Sequence, residues 1–277
     1  MCRSIELGGR RCPSHSDPSA TAAYNAVRRQ RYAEAKKTGS PVLSADYDFT
    51  PLDQMKQLGV TDPKFVEFVD QAKEFIDKVY SKNSKAKTPE AKAVYAYTNL
   101  NYIDIRHRIY GGELIHEQNA SKVDAMIGNI DTALLKATPP DEPRELYRGV
   151  SLPDHVAPED VNSYLAENFP TGGVISQKNF MSTSLSPSLA STFMEKNQKR
   201  SNGVLIQILS KKGAPLGGKL SCLGNGEMEV LMPREAKFKV AEVVTDIKPN
   251  ADPHSTGKLA QITHIIRLVD VTDEDES

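Results

Sequence analysis

Gly224-Asn225-Gly226-Glu227-Met228-Glu229-Val230-Leu231-Met232-Pro233 is the stretch from which the rest of the chain is best read. A flexible Gly-Asn-Gly turn leads into two carboxylates at i and i+2. An apolar run follows and ends at proline, the pattern of a turn entering a short strand. In an extended backbone alternate side chains share a face, so Glu227 and Glu229 are expected to look the same way. Like charges that close raise one another's proton affinity and titrate as a coupled pair, which suits two separate roles at one cleft. An exposed acidic turn would carry the same residues, so the stretch needs companions elsewhere in the chain.

Two upstream segments supply them. In Leu146-Tyr147-Arg148-Gly149-Val150 an arginine interrupts an apolar strand, where burial is costly without an anion. Its guanidinium fork fits a phosphate or carboxylate bidentately, and Gly149 lets a ligand approach the backbone closely. In Phe180-Met181-Ser182-Thr183-Ser184, Ser182 and Ser184 are expected on one side of a strand and Thr183 on the other. An arginine paired with a surface acid, or ordinary strand-end polarity, would explain either segment alone. The order arginine strand, serine strand, Glu-x-Glu after a glycine turn is much more specific than any one piece.

Around these segments the chain reads as α+β. Asp62-Pro63 is an N-cap with proline at the first helical position, and Phe65, Val69, Ala72, Ile76 and Val79 recur at helical spacing. Thr88-Pro89 repeats that signal for a second helix running to about Arg108, which Gly111-Gly112 stops. A third helix carries Val123, Met126, Ile127, Ile130 and Leu134, ending before Pro139-Pro140. Beyond Pro143 the expected strands are 146–150, 179–184, 204–209, 229–232, 238–244 and 262–269, with helices over 158–168 and from Ser186-Pro187 through Phe193. Helices first and strands after make a helical block followed by a β core. Residues 1–45, with one helix near 20–37 and the linker Thr38-Gly39-Ser40-Pro41, read as an appendage to a domain over 46–277.

A formal charge of −1 gives no general pull toward nucleic acid or acidic membranes. The cluster Arg28, Arg29, Arg31, Lys36, Lys37 and the acidic Asp273–Glu276 tail are local exceptions, read as a solvated helix face and a chain end. No stretch approaches the ~20 apolar residues of a membrane span. Met1 to Glu6 lack the apolar core of a secretory signal, an absence that leaves other export routes open. The expected place of action is a cytoplasm, with delivery as a phage protein or a secreted effector left open. Three cysteines, Cys2, Cys12 and Cys222, are too few and too uneven for a disulfide framework. Cys2, Cys12 and His15 offer three metal ligands where a structural zinc site wants four, and no metal is expected.

The combined motifs resemble the arginine–serine–glutamate class of mono-ADP-ribosyltransferases, which includes clostridial binary toxins, bacterial effectors and vertebrate ecto-transferases. The resemblance covers residues 60 to 269. It implies a two-sheet β core of the ADP-ribosyltransferase type behind the helical block, NAD as substrate, and no metal. It also implies transfer of ADP-ribose to an arginine of a target protein, with release of nicotinamide. By resemblance Arg148 binds the NAD pyrophosphate region and Gly149 meets the nicotinamide carboxamide. Ser182 orients the catalytic Glu229, Asn179 contacts NAD, and Phe193 packs on the nicotinamide ring. Glu227 goes with arginine as acceptor, and Tyr97-Thr98 and Tyr102 resemble the helix that lines the cofactor cleft. The turn before Glu227 departs from some toxins in having no aromatic residue, and Arg106 stands where some toxins have an asparagine near the adenosine.

Two other readings use the same site. One is an NAD glycohydrolase with water as acceptor; the other is a non-catalytic NAD-binding module, against which the complete Arg148, Ser182, Glu227, Glu229 set argues. A nucleic-acid acceptor is disfavoured by glutamate at 227, where base-modifying relatives usually carry glutamine. The basic segment 28–37 keeps it open.

Overall fold

A computed structural model of the chain describes residues 47, 49–50, 55, 63–80, 87–114, 119–150, 152–153, 156–194, 203–247 and 262–273. Expectations that concern Cys2, Cys12, His15, the basic segment 28–37, the linker 38–41, Asp62 and residues 274–276 lie outside the described residues.

Helices α1 (Pro63–Val79), α2 (Pro89–Ala96), α3 (Tyr102–Tyr110) and α4 (Ala120–Leu134) come first. Their ends follow local chemistry. The Thr88 hydroxyl caps α2 by accepting from the Ala91 amide at 3.1 Å, and Asn119 caps α4 through the Ser121 amide at 2.8 Å. Gly111 closes α3 in the left-handed conformation at φ 76°, where a side chain would be strained. The continuous second helix read from the sequence is broken. Tyr97–Asn101 forms a wider turn of π type, with Asn99 outside helical space at φ −94°, ψ −111°. Wider turns of this kind concentrate at functional sites.

The β core is β1 (Arg144–Val150), β2 (Val174–Gln177), β3 (Met181–Ser184), β4 (Gly203–Ser210), β5 (Ala214–Leu216), β6 (Glu229–Met232), β7 (Ala236–Val244) and β8 (Ile262–Asp270). Helices α5 (Val161–Asn168) and α6 (Pro187–Ser191) interrupt it. Neither β2 nor β5 was anticipated; both are edge strands, too short for a periodic signal. The expected two-sheet core is one mixed eight-stranded sheet among the described residues, ordered β2-β7-β8-β4-β1-β3-β6-β5. All pairings are antiparallel except β4 with β8. The reason for the difference is a single link: β1 and β3 share one register pair, Tyr147↔Ser184, which joins a five-stranded part to a three-stranded part.

Alternation along β1 decides what lies on each side of that seam. Leu146 belongs to the core formed with Phe68 and Ala72 of α1 and Val161 and Leu165 of α5. Tyr147 faces the other way and packs with Met55, Ala190 and Met194. On that reverse side Thr50 docks onto the sheet, donating its amide (2.6 Å) and hydroxyl (2.5 Å) to the buried carboxylate of Glu145. The lower half of α1 (Phe75, Val79) instead joins α2, α4 and Leu216, Leu220 and Leu231 in a second core. Ala72 and Val79 of the expected stripe are deeply buried together with Phe68 and Phe75, while Phe65, Val69 and Ile76 pack at its edge. A large side chain fully buried this way contributes about 1.5–3 kcal/mol, so the two cores fix α1 against both parts of the sheet.

Candidate active site

Arg148 lies on β1 opposite Ile206, on the side of the sheet that Leu146 shares. Its Nη1 reaches across the seam and donates to the Ser182 carbonyl at 2.6 Å. With only one register pair between β1 and β3, that carbonyl is available to a side chain, and the guanidinium bridges the two strands. Burial draws the affinity of Arg148 for its proton down and Arg106 adds to the effect, while Tyr97 and Glu229 oppose it.

Glu229 is the first residue of β6, held between Ser184 of β3 and Leu216 of β5. It is buried, with 6% of its surface exposed. Burial pushes its carboxyl up to about 7, and the charge of Glu227 pushes the same way. A hydrogen bond from Ser182 and the charge of Arg148 pull it back without overcoming the desolvation. Cation and carboxylate are therefore both held against the solvation preference of their charged forms. Perturbed groups clustered in this way make the spot a functional-site candidate.

Ser182 stands between them. Its backbone serves Arg148, and its hydroxyl serves Glu229 and lies 3.4 Å from the Tyr97 hydroxyl. Tyr97 is buried at the wide turn, edge-on to Phe180 (centroids 5.9 Å) and to Tyr102 (6.4 Å). Burial pushes its phenol up to about 12, so it stays a neutral hydrogen-bonding group. Tyr102 is partly exposed beside it. Arg148, Ser182, Glu229, Tyr97 and Tyr102 thus converge from β1, β3, β6 and the helical block.

The two glutamates do not reach the site by strand alternation. Met228 between them is left-handed at φ 46°, and β6 begins only at Glu229. Glu227 ends the preceding turn, half-buried, with burial raising its carboxyl. It remains within electrostatic reach of Glu229. The left-handed residue is held by its neighbours: the Met228 side chain is buried, and its carbonyl accepts from the Leu185 amide at 3.2 Å.

Ser184 does not turn its hydroxyl to a ligand beside Ser182. It donates to the Glu227 carbonyl at 2.7 Å and accepts from the Ser186 amide at 3.0 Å, pinning the end of the glutamate turn to β3. The sequence singled out the hydroxyl and not this role, since the bond spans 43 residues. Thr183 points away, donating to the Val230 carbonyl at 2.7 Å.

Other expected residues lie at the margin. Gly149 is required by packing: a Cβ there would meet the Ala190 carbonyl at 2.3 Å and the Met194 amide nitrogen at 2.9 Å. The close approach comes from the chain around α6. Asn179 turns its Oδ1 to the Phe180 amide at 2.8 Å, shaping the bend into β3. Phe193 follows α6 and is 48% exposed, outside the packed cluster. Arg106, His107, Tyr110 and Gly112 line a shallow cavity of about 300 Å³ on α3. No group of three or more His, Cys, Asp or Glu side chains that could hold a metal ion occurs among the described residues. No described helix is long and apolar enough to cross a membrane.

The model of a family described as ADP-ribosyltransferase exoenzyme matches residues 72–264. Among solved structures, the Vis toxin of Vibrio splendidus, an ADP-ribosyltransferase, is 18% identical over 81% of this chain and 92% of its own, at a TM-score of 0.52. A complex of Vis with agmatine superposes similarly, at 0.51. The enzymatic component C2-I of the Clostridium botulinum C2 toxin is 18% identical over 73% of this chain and 47% of its own, at 0.52. The C. perfringens toxin BECa, solved with NADH, is 18% identical over 74% of this chain and 48% of its own, also at 0.52. No curated protein matches the chain. At these identities the structural likeness shows a shared fold.

Proposed function

The chain belongs to the ADP-ribosyltransferase exoenzyme family, which takes NAD as substrate, and from that premise we propose that it transfers ADP-ribose to an arginine side chain of a target protein. One observation carries the reading: Arg148, Ser182 and Glu229 meet across the seam of the sheet, with the Glu229 carboxyl raised to about 7 by burial. This meeting of the three side chains supports the arginine–serine–glutamate reading, and Glu227 beside it supports arginine as the acceptor.

The bond to break joins nicotinamide to C1′ of ribose, through a transition state resembling an oxocarbenium ion. Rate then depends on negative charge that interacts more strongly with the transition state than with bound substrate. Glu229 supplies it, accepting a hydrogen bond from the ribose 2′-hydroxyl, with Ser182 holding the carboxylate in place. Arg148 pairs with the pyrophosphate. Phe193, already exposed, closes on the nicotinamide ring, and Tyr97 and Tyr102 wall the cleft. The C1′–N electron pair leaves on nicotinamide. A guanidinium nitrogen of the acceptor then forms the new bond, and Glu227 takes its proton. Holding the acceptor in line can supply on the order of 7 kcal/mol in the best cases. Agmatine, bound in the Vis complex, carries the same guanidinium group.

The test is incubation with isotope-labelled NAD and cell lysate, followed by mass spectrometry of the labelled residue. ADP-ribose on arginine, lost with Glu229→Ala, is the expected result. Nicotinamide release with no protein label would make the chain a glycohydrolase. NAD bound without turnover would make it a binding module.

A further inference from the structure

The turn that presents Glu227 is braced along its length. The Gly224 amide donates to the Ser221 carbonyl (3.2 Å), Gly226 to Leu223 (3.1 Å) and Met228 to Asn225 (3.2 Å). The Asn225 Oδ1 reaches back to the Gly218 amide at 2.9 Å, over a Gly217 whose Cβ would lie 2.3 Å from that oxygen. Its far end is pinned to β3 by Ser184. Its near end is pinned to a different part of the molecule. The Cys222 amide donates to the Thr98 hydroxyl at 3.0 Å, and the Cys222 thiol donates to the Thr98 carbonyl at 2.7 Å. Thr98 is the second residue of the wide turn, next to Tyr97, and its hydroxyl donates in turn to the Tyr95 carbonyl at 2.9 Å.

The break in the α2–α3 helix now has a physical use. A regular helix would engage the Thr98 carbonyl in its own ladder, whereas the wide turn presents it to Cys222 across 124 residues. We propose that Thr98 and Cys222 are positioning residues that set the place of Glu227 relative to Tyr97, and so govern use of the acceptor separately from cleavage of NAD. The inference rests on the reading of Glu227 as the acceptor-facing carboxylate. A chain of overlapping turns transmits displacement, so releasing one end moves Glu227. Glu229, locked in β6 between β3 and β5, keeps its position. Neither residue touches the reacting atoms.

The experiment uses the full chain with agmatine as acceptor probe and nicotinamide release without agmatine as the measure of cleavage. Thr98→Val removes the hydroxyl that accepts from Cys222, and Cys222→Ala removes the thiol donor. Each is expected to raise the KM for agmatine about fivefold, the worth of one hydrogen bond, and for Cys222→Ala release in the absence of agmatine should change less than about twofold. Cys222→Ser restores a donor and is expected to return the KM toward the wild-type value. Amide hydrogen exchange provides a second measure that needs no turnover: Thr98→Val should accelerate exchange at residues 222–227 and leave β6 unchanged. Equal losses in cleavage and transfer, an unaltered KM, or turn amides that exchange at the wild-type rate would each overturn the proposal. If the wild-type protein releases nicotinamide but never modifies agmatine, the arginine reading falls. The exchange result then still decides whether the clasp holds the turn.

Discussion

Replacing Glu229 by glutamine should stabilise the protein, and by an amount that grows with pH. An ordinary glutamate carboxyl titrates at 4.5, and burial raises that of Glu229 to about 7. The folded chain therefore keeps this proton to higher pH than the unfolded chain does. Below about 4.5 the group costs nothing by this route. Ionising it in the folded state costs progressively more as pH rises, reaching about 3 kcal/mol above 7 at roughly 1.4 kcal/mol per tenfold of proton affinity. Glutamine carries no such cost and keeps an oxygen for the Ser182 hydroxyl. Between about pH 5 and pH 8 the advantage of Glu229→Gln over wild type should widen by about 2 kcal/mol. For a chain of this length that corresponds to a midpoint difference growing by roughly 4 °C. Urea or thermal unfolding of the two proteins without NAD, at matched ionic strength, measures it. Parallel curves with a constant offset, or a wild type more stable than the variant at pH 8, would refute the claim that desolvation dominates this carboxylate.

The same titration governs turnover. In the proposed mechanism the step needs Glu229 ionised, so kcat/KM for nicotinamide release should rise roughly tenfold between about pH 6 and pH 8; a flat profile would remove Glu229 from the role. Glu227→Gln should weaken transfer to agmatine far more than nicotinamide release, and equal losses would argue against a carboxylate turned to the acceptor. Arg148→Lys keeps the charge but loses the fork that reaches the Ser182 carbonyl and, in the proposed mechanism, the pyrophosphate. The KM for NAD should rise roughly tenfold or more, and an unchanged value would locate the pyrophosphate elsewhere. Gly149→Ala places a methyl group against two backbone atoms that cannot swing aside, and unfolding measurements should show a loss of about 3 kcal/mol.

Much of the site was legible because its parts are marked by local chemistry. Arg148 in an apolar strand, Ser182 ahead of Thr183 and Ser184, and carboxylates after a glycine turn are each unusual for their surroundings. Capping residues marked the starts of α2 and α6 before any contact was known. Two features of the site that the sequence did not signal share one cause. The bonds that pin Ser184 to Glu227 and join Thr98 to Cys222 span 43 and 124 residues, and short-range periodicity carries no trace of them. Gly149 stands out by residue type alone, whereas the packing that demands it comes from the chain around α6, some forty residues away.

The amino-acid order alone determined the helices-then-strands succession, the identity of the groups that carry charge, and the kinship those groups imply. Side-chain type, turn propensity and apolar spacing are local properties, and they survive in the unfolded chain. Only the folded molecule decided that the core is one sheet hinged on a single pair, and that Met228 turns left-handed between two glutamates. It alone buried Glu229 deeply enough to hold its proton near neutrality. Solvent exclusion and register arise when distant strands meet, so they exist in the packed state and in no segment taken by itself.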